Sequence, residues 1–442
     1  MFVGLIYMQQ LVLQFRRAIP VCLAEELRKG KAFLFSVRAR ISMWKRNFGD
    51  SSSQRDTVVL LSLGGQNGSP FLAKAATELG YDVHVLSPRF PSYEGLYATG
   101  WTKVDPISDI EGTLESARCL NPIACLVEIR NILLPAKARI QTELNLRTFG
   151  SVSAVSSNSK IYLRELIEKT DLPKVRWTRA SDYKPGQLGY PFIVKPETGT
   201  ASKGVSLIQN DAGLNKACEL IESLQHDVSV GGDVLLEEFI DGPNFDVTGV
   251  YRDGVIYPFT VQFMEFTPIK GALPSSFYLH NPPIENELRE RIIDRAKENI
   301  EALGVKVGAF TCEMRLNSEE ELFVTDFSNR CATPPTVTKA AGLSLTGEYV
   351  RTMCESNFHP PHIERNCVYQ RFVRNAVELD RFDELLKAHP EMAVDVRKLA
   401  GSYAGVKTLA RIAVWAPEFG TLHDRLEEFE LVPDEWASAG FI

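Results

Sequence analysis

Tyr190 to Ile208, YPFIVKPETGTASKGVSLI, decides how the rest of the chain is read. Phe192, Ile193 and Val194 favour a strand, which ends at Lys195 and opens into a loop of Gly, Thr, Ser and Lys before an apolar return at Val205–Ile208. Gly199 and Gly204 let the loop backbone approach a ligand without a Cβ in the way. Lys195, Thr198, Thr200, Ser202, Lys203 and successive backbone N–H groups can together surround a polyphosphate-like anion. An ordinary Gly-rich hairpin has the same outline, and the glycine spacing is neither GxxxxGK[ST] nor GxGxxG.

Two later stretches decide between these readings. Leu235 to Val250, LLEEFIDGPNFDVTGV, sets a pair of carboxylates beside an apolar strand and follows it with a DGPN turn. Gly308 to Arg330 carries two spaced acids and ends in Asp326-Phe-Ser-Asn-Arg330. In this order the three stretches resemble the ATP-grasp ligases, over roughly Asp56 to Ala341. The resemblance implies an α/β (α+β) ATP-grasp fold with a Rossmann-like α/β domain in front of it. Four segments are expected: a basic, helical 1–55, an α/β domain at 56–150, the ATP-grasp module at 151–355 with its lid at about 156–236, and a segment 356–442 that completes or packs on the large subdomain.

Composition sets the class. The chain has 442 residues, 44% of them hydrophobic and 24% charged, as in an ordinary soluble protein of two or three domains. A net charge of −7 argues against a general nucleic-acid binder. The eight cysteines show no CxxC and no zinc spacing, so reduced thiols and a cytoplasmic location are the simplest expectation. Charge is uneven: 1–55 has ten Lys/Arg against three Asp/Glu, net +7, which leaves −14 on the remainder. Phe2–Phe15 is too short and too polar to span a membrane, and Arg16-Arg17 follow the apolar run where a signal peptide would have them before it. One or two amphipathic helices docking on the same chain or a second subunit account for it, a homodimer being one arrangement; an acidic membrane surface is the alternative partner.

From Thr57 strands and helices alternate. Val58–Leu63, a helix from Ser69-Pro70 to Leu79 ended by Gly80, and Asp82–Leu86 make a βαβ unit with a parallel sheet. The turn Gly64-Gly-Gln-Asn-Gly68 has the wrong spacing for a dinucleotide and no acid clearly ends the second strand. Ile123–Val127 reads as a strand and Leu133–Leu144 as a helix, with Glu128 at a strand end where relatives often carry an acid. Asn158–Lys169 is an amphipathic helix with Lys160 at its start, matching the family's first phosphate lysine. Gly213–Leu224 is a helix without evident chemistry, and Ile284–Leu303 a long charged one.

Adenine needs an acceptor for its amino group and an N–H for a ring nitrogen, and the strand around Glu237, Glu238, Phe239 and Ile240 offers both. Asn244 stands where many relatives hold the ribose with Glu, and retains hydrogen bonding without the charge. Arg252-Asp-Gly254 is a strong hairpin signal. Phe263–Pro283 shows neither helical nor strand periodicity, so a substrate-facing loop bearing Glu265, Lys270, Tyr278 and His280 is expected. Gly308–Leu316 and Glu321–Phe327 read as paired strands that bring Glu313 opposite Asp326, a destabilising juxtaposition unless a cation lies between. Mg²⁺ is the implied metal, with Ser328 where relatives have Asn. Arg330 matches the arginine that follows the last metal ligand, and its planar fork suits a carboxylate or acyl-phosphate. His359-Pro-Pro-His362 is a turn and not a helical metal pair. Cys331 has no sequence-placed base and reads as packing. Val368–Val373, a helix at Leu379–Lys387 and Val406–Trp415 carry no assigned chemistry.

The implied activity is ligation of a small carboxylic acid, such as an amino acid, to an amine. ATP and Mg²⁺ are the implied cofactors, and Lys195 and Arg330 the catalytic groups. Two other readings stay open: an ATP-grasp carboxylase or nucleotide-biosynthesis ligase, though no biotin-attachment MKM motif is present, and a nucleotide-binding regulator that has lost turnover, as Asn244 and Ser328 would suit.

Overall fold

The computed structural model describes residues 39–43, 55–64, 70–127, 130–200, 202–224, 230–269, 272–331, 334–403 and 406–442. The expected helical extension (apart from 39–43), most of the Gly64–Gly68 turn, Glu128, Ala201 and Lys270 lie outside them. In chain order β1 (Thr57–Leu61), α1 (Pro70–Glu78), β2 (Asp82–Ser87), β3 (Gly100–Lys103), α2 (Ile110–Leu120), β4 (Ala124–Leu126) and α3 (Leu134–Glu143) make the first unit. Its four strands are parallel in the order β3-β2-β1-β4. Val58, Val59, Leu60 and Leu61 are all buried, as expected of a central parallel strand covered on both faces.

A helix absent from the sequence reading, α4 (Ser151–Asn158), leads into α5 (Lys160–Ile167). Ser159 between them caps α5, its Oγ accepting from the Tyr162 N–H at 3.1 Å, which fixes Lys160 at the first helical position. A small sheet follows: β5 (Trp177–Arg179), β6 (Phe192–Thr198), β7 (Ser206–Ile208), helix α6 (Asp211–Ser223) and β8 (Gly231–Glu238), with strand order β5-β8-β6-β7. Its one apolar side, with Phe192, Val194, Leu236 and Ile208, packs on Ala217 and Ile221 of α6.

The rest is built on an eight-stranded sheet. Its elements are β9 (Asn244–Arg252), β10 (Val255–Phe266), β11 (Ser275–His280), α7 (Asn286–Ala302), β12 (Val307–Leu316), β13 (Leu322–Ser328), α8 (Pro334–Ala341), α9 (Leu345–Cys354), β14 (Cys367–Val373), α10 (Ala376–Ala388), β15 (Ala393–Tyr403), β16 (Val406–Ala416), α11 (Phe419–Glu428) and α12 (Glu435–Ser438). The order is β13-β12-β9-β10-β11-β14-β16-β15. The β9–β10 hairpin turns at Asp253 (φ 53°) and Gly254 (φ 84°), two successive left-handed residues as a tight hairpin turn needs. One face carries Phe245, Phe263, Phe277, Tyr369 and Ile412 and packs with α7, α10 and α11 in the largest core. The other face is the floor of a cavity roofed by the small sheet.

Phe263–Pro283 corrects the expectation of a substrate loop. The stretch completes β10 and forms β11, which pairs with β10 and β14 in the middle of the sheet. Side chains on both faces of β11 are covered, so the polar–apolar alternation that marks a half-exposed strand is missing. The C-terminal segment supplies β14, β16 and β15, three of the eight strands of the same sheet, at its far edge.

Candidate active site

The cavity has a volume of about 770 Å³, enough for a nucleotide together with a small molecule. The strand–loop–strand at Tyr190–Ile208 forms its roof. Lys195 lies at the cavity side of β6, 8% exposed, with Nζ 2.6 Å from Glu237 Oε2 and donating to the Thr325 carbonyl at 3.1 Å. Lys160 enters from α5, with Nζ 3.6 Å from Asp326 Oδ2 and 3.4 Å from the Gly199 carbonyl. Thr200, Ser202 and Lys203 line the roof loop. Ser202 takes a left-handed φ of 54°, closed by the Val205 N–H donating to the Ser202 carbonyl at 3.2 Å. Gly204 (φ 74°) faces the lid interior instead: a Cβ there would lie 3.1 Å from Ile221 Cγ1 and 3.3 Å from Pro196 Cδ.

Successive residues of β8 point to opposite sides: Glu237 shares a face with Ile193 and Lys195, and Glu238, at the strand end, shares the face of Leu236. Glu238 lines the cavity and is held by Arg176, whose N–H and Nε donate to it at 2.7 and 2.6 Å. Glu237 is buried beneath Lys195 and does not itself line the cavity: Arg164 Nε donates to it at 2.6 Å, and Lys195 closes the other side. Burial disfavours its charge, but Arg164 and Lys195 outweigh this and hold its carboxyl below the usual range. The placement thus gives Glu237 the work of bracing Lys195, and leaves Glu238, Phe239 and Ile240 as the hinge surface. Arg315 fastens that hinge, donating to the Ile240 and Gly242 carbonyls at 3.1 and 3.0 Å with its guanidinium 4.7 Å from the Phe239 ring centre. Asn244, at the start of β9, is nearly buried and lines the cavity in register with Arg315.

Glu313 and Asp326 are direct partners across β12 and β13. The β9–β12 ladder adds a third acid to the row, Asp246, opposite Glu313. All three line the cavity. Burial and then Asp326 push the Glu313 carboxyl up to about 7; burial and then Glu313 raise Asp246 well above the carboxylate range. A row of hard oxygen donors whose charges oppose one another fits a divalent cation, so the Mg²⁺ implied by the fold family suits the residues present. Sequence reading missed Asp246, although the alternation Asn244-Phe-Asp-Val-Thr248 already put Asn244, Asp246 and Thr248 on one face.

Ser328 and Arg330 are joined by another residue not foreseen, Asn131 of the first unit. Its Nδ2 donates to Ser328 Oγ at 3.1 Å and to the Ser157 carbonyl at 2.7 Å, while its Oδ1 accepts from Arg330 Nε at 2.7 Å. Arg330 is thereby aimed into the cavity with one edge fixed. Of the residues expected on a substrate wall, Tyr278 lines the cavity. Glu265 lies off it, and His280 is fully buried with its pKa lowered to about 3 by burial.

Residues 188–334 match the sequence profile of the ATP-grasp domain. Over 72 residues the chain is 44% identical to D-alanine--D-alanine ligase of Marinomonas sp. (strain MWYL1), covering 16% of this chain and 20% of that protein. Over 251 residues it is 23% identical to alanine--anticapsin ligase of Bacillus subtilis (strain 168), covering 50% of this chain and 52% of that one. The chain thus spans between about a fifth and about half of the length of these curated relatives. The fold is similar to that of the L-amino acid ligase from Bacillus licheniformis, with a TM-score of 0.69 at 16% identity over 86% of this chain and 98% of the other. It is also similar to a biotin carboxylase domain dimer from Hydrogenobacter thermophilus in complex with MgADP, with a TM-score of 0.62 at 15% identity over 85% and 90%. Among the described residues no helix is long and apolar enough to cross a membrane.

Proposed function

From a chain that carries an ATP-grasp domain, we propose an ATP- and Mg²⁺-dependent ligase that joins a small carboxylic acid to an amine. The observation that carries the reading is the convergence of Lys160, Lys195, the Glu313–Asp326 pair and Arg330 on one cavity. In the first step a substrate carboxylate oxygen bonds to the γ-phosphorus as the bridge to the β-phosphate breaks, releasing ADP. The amine then attacks the acyl carbon, loses a proton and expels phosphate. No protein nucleophile is required, and the chain supplies position and charge. Lys160 and Lys195 hold phosphate oxygens. A bound Mg²⁺ would neutralise phosphate charge from Glu313 and Asp326, with Ser328 reaching it through water. Glu238, Phe239 and Ile240 hold the adenine, Asn244 the ribose, and Arg330 the reacting carboxylate. The reduced state of its cysteines and a cytoplasmic setting belong to the same reading.

Lys195→Ala tests it. Loss of a charge-assisted contact worth about 1.5–3 kcal/mol is expected to weaken ATP binding or phosphoryl transfer by about tenfold or more, read by nucleotide titration and by ADP release over pairs of amino acids. Unchanged ATP affinity together with unchanged turnover would remove Lys195 from the site.

A further inference from the structure

The floor of the cavity extends well beyond the acidic row, and its far part has a chemistry of its own. On β14 Gln370 is fully buried, and neither its Oε1 nor its Nε2 has a hydrogen-bond partner among the described residues, although it lines the cavity. Two residues along the strand, Phe372 is in register with Arg411 of β16, which is in register with Arg397 of β15. Both arginines line the cavity. Arg411 donates from Nη2 to Asp395 Oδ2 at 2.6 Å, Arg397 from Nε to Asp395 Oδ1 at 2.9 Å, and Arg411 Nε is buried without a partner. A single carboxylate between two guanidiniums leaves one positive charge.

Resting on the ligase reading above, we infer that the Arg411–Arg397 pair and Gln370 bind a carboxylate carried by the amine-donating substrate, remote from its reacting nitrogen. Charge selects the class: one uncompensated guanidinium matches a monoanionic carboxylate better than a phosphate dianion, and the free Nε together with the Gln370 amide supplies donors directed at oxygen. Distance selects the molecule. Glu313 on β12 and Arg411 on β16 are five strand steps apart, roughly 24 Å along the sheet at about 4.8 Å a step. A small acid activated beside Arg330 cannot also reach Arg411, so the anion at the far end belongs to the second substrate, an extended amine whose carboxylate and nitrogen lie at opposite ends of the molecule.

The test offers amine donors with the carboxylate set at increasing distance from the nitrogen, ω-amino acids and short peptides, each in three forms, the free acid, its carboxamide and the matching phosphonic acid, with ATP, Mg²⁺ and a panel of amino acids as acyl donors. The free acid is expected to exceed the carboxamide by about tenfold or more in kcat/KM. Arg411→Gln should collapse that ratio through KM for the amine donor while KM for ATP is unchanged, and Arg411→Lys should fall between. A thermal midpoint for each variant separates misfolding from lost recognition. Where no pair turns over, calorimetric titration of the protein loaded with Mg²⁺ and ADP reads the same preference as binding. Equal use or binding of acid and carboxamide by the unmodified protein, or a ratio that survives Arg411→Gln, overturns the inference; preference for the phosphonic acid overturns its choice of carboxylate. Failure of the ligase reading is distinct, since it appears as loss of nucleotide binding itself.

Discussion

The two ends of the cavity floor are unsatisfied in opposite ways. At the β13–β12–β9 end Asp326, Glu313 and Asp246 stand in one row, where burial and mutual repulsion raise Glu313 and Asp246 in spite of the cations around them, Lys160 and Arg330 among them. At the β14–β16–β15 end the Gln370 amide and Arg411 Nε lack hydrogen-bond partners among the described residues. Both arrangements cost stability in the protein by itself, the first through like charges and the second through desolvated polar groups. What they teach is that a single sheet can be left incomplete at two places of opposite character, which the proposed function assigns to a cation with phosphates at one and an anion at the other.

The largest expected effect breaks the acidic end. Asp326→Asn removes a charge from the proposed metal site and the partner of Lys160, and should lower Mg²⁺-dependent ADP release by about a hundredfold or more, whereas Ser328→Ala should cost far less. ADP formation measured against Mg²⁺ concentration distinguishes them, and a fully active Asp326→Asn with unaltered Mg²⁺ dependence would move the metal site elsewhere. Next in size is Glu237→Gln. Arg164 and Lys195 would both lose a buried counter-charge, so a loss of about 3 kcal/mol in urea unfolding is expected. Loosening Lys195 would weaken ATP binding as well, so the urea midpoint decides: if Glu237 served adenine instead, it would not change.

The same contrast governs what could be read from the sequence. The acidic end is written locally: β12 and β13 are joined by a short turn at Asn317–Glu321, and β9 and β10 by Asp253-Gly254, so register follows from neighbouring residues and puts Glu313 against Asp326. The roof is equally local, since β6, its loop and β7 are contiguous. The far end is not. β11 pairs with β14 across the intervening α7, β12, β13, α8 and α9, and nothing in either segment alone announces the partner. Burial on both faces also erased the alternation in Ser275–His280, which made a central strand read as a loop. Asn131 shows the limit most sharply. It lies in a 3₁₀ turn before α3, yet its role with Ser328 and Arg330 exists only because two units of the fold meet there.

A smaller effect sharpens the charge argument through pH. Glu313 titrates near 7 in the folded protein against an ordinary 4.5, so the folded state holds a proton that the unfolded state gives up in this interval. Its contribution to stability is therefore complete below pH 4.5 and is lost as pH rises through 7. Without Mg²⁺ the thermal midpoint should carry a declining component over that window, addition of Mg²⁺ with ADP should restore it near pH 7, and Glu313→Gln should flatten it. A Glu313→Gln protein whose midpoint declines as steeply as the unmodified one would show that the acidic row does not set this dependence.

The smallest expected effect comes from the opposite end and carries the opposite sign for function and stability. Gln370 is fully buried with both amide atoms unpaired among the described residues, and a buried polar group without a partner costs about 1–3 kcal/mol. Leu is close to Gln in volume and has no polar atom to desolvate. Gln370→Leu should accordingly raise the urea midpoint, by about 1 kcal/mol once imperfect packing beside Tyr278 and Ala413 is allowed for, because the substituted residue keeps its place in the ladder. The acidic row lies on other strands, so ATP and Mg²⁺ dependence should not move. Discrimination between an amine donor and its carboxamide should weaken, though less than in Arg411→Gln, since an amide donates neutral hydrogen bonds and a guanidinium donates charged ones. A variant that is less stable than the unmodified protein would mean that the Gln370 amide is already satisfied and that the far end has no need of an anion.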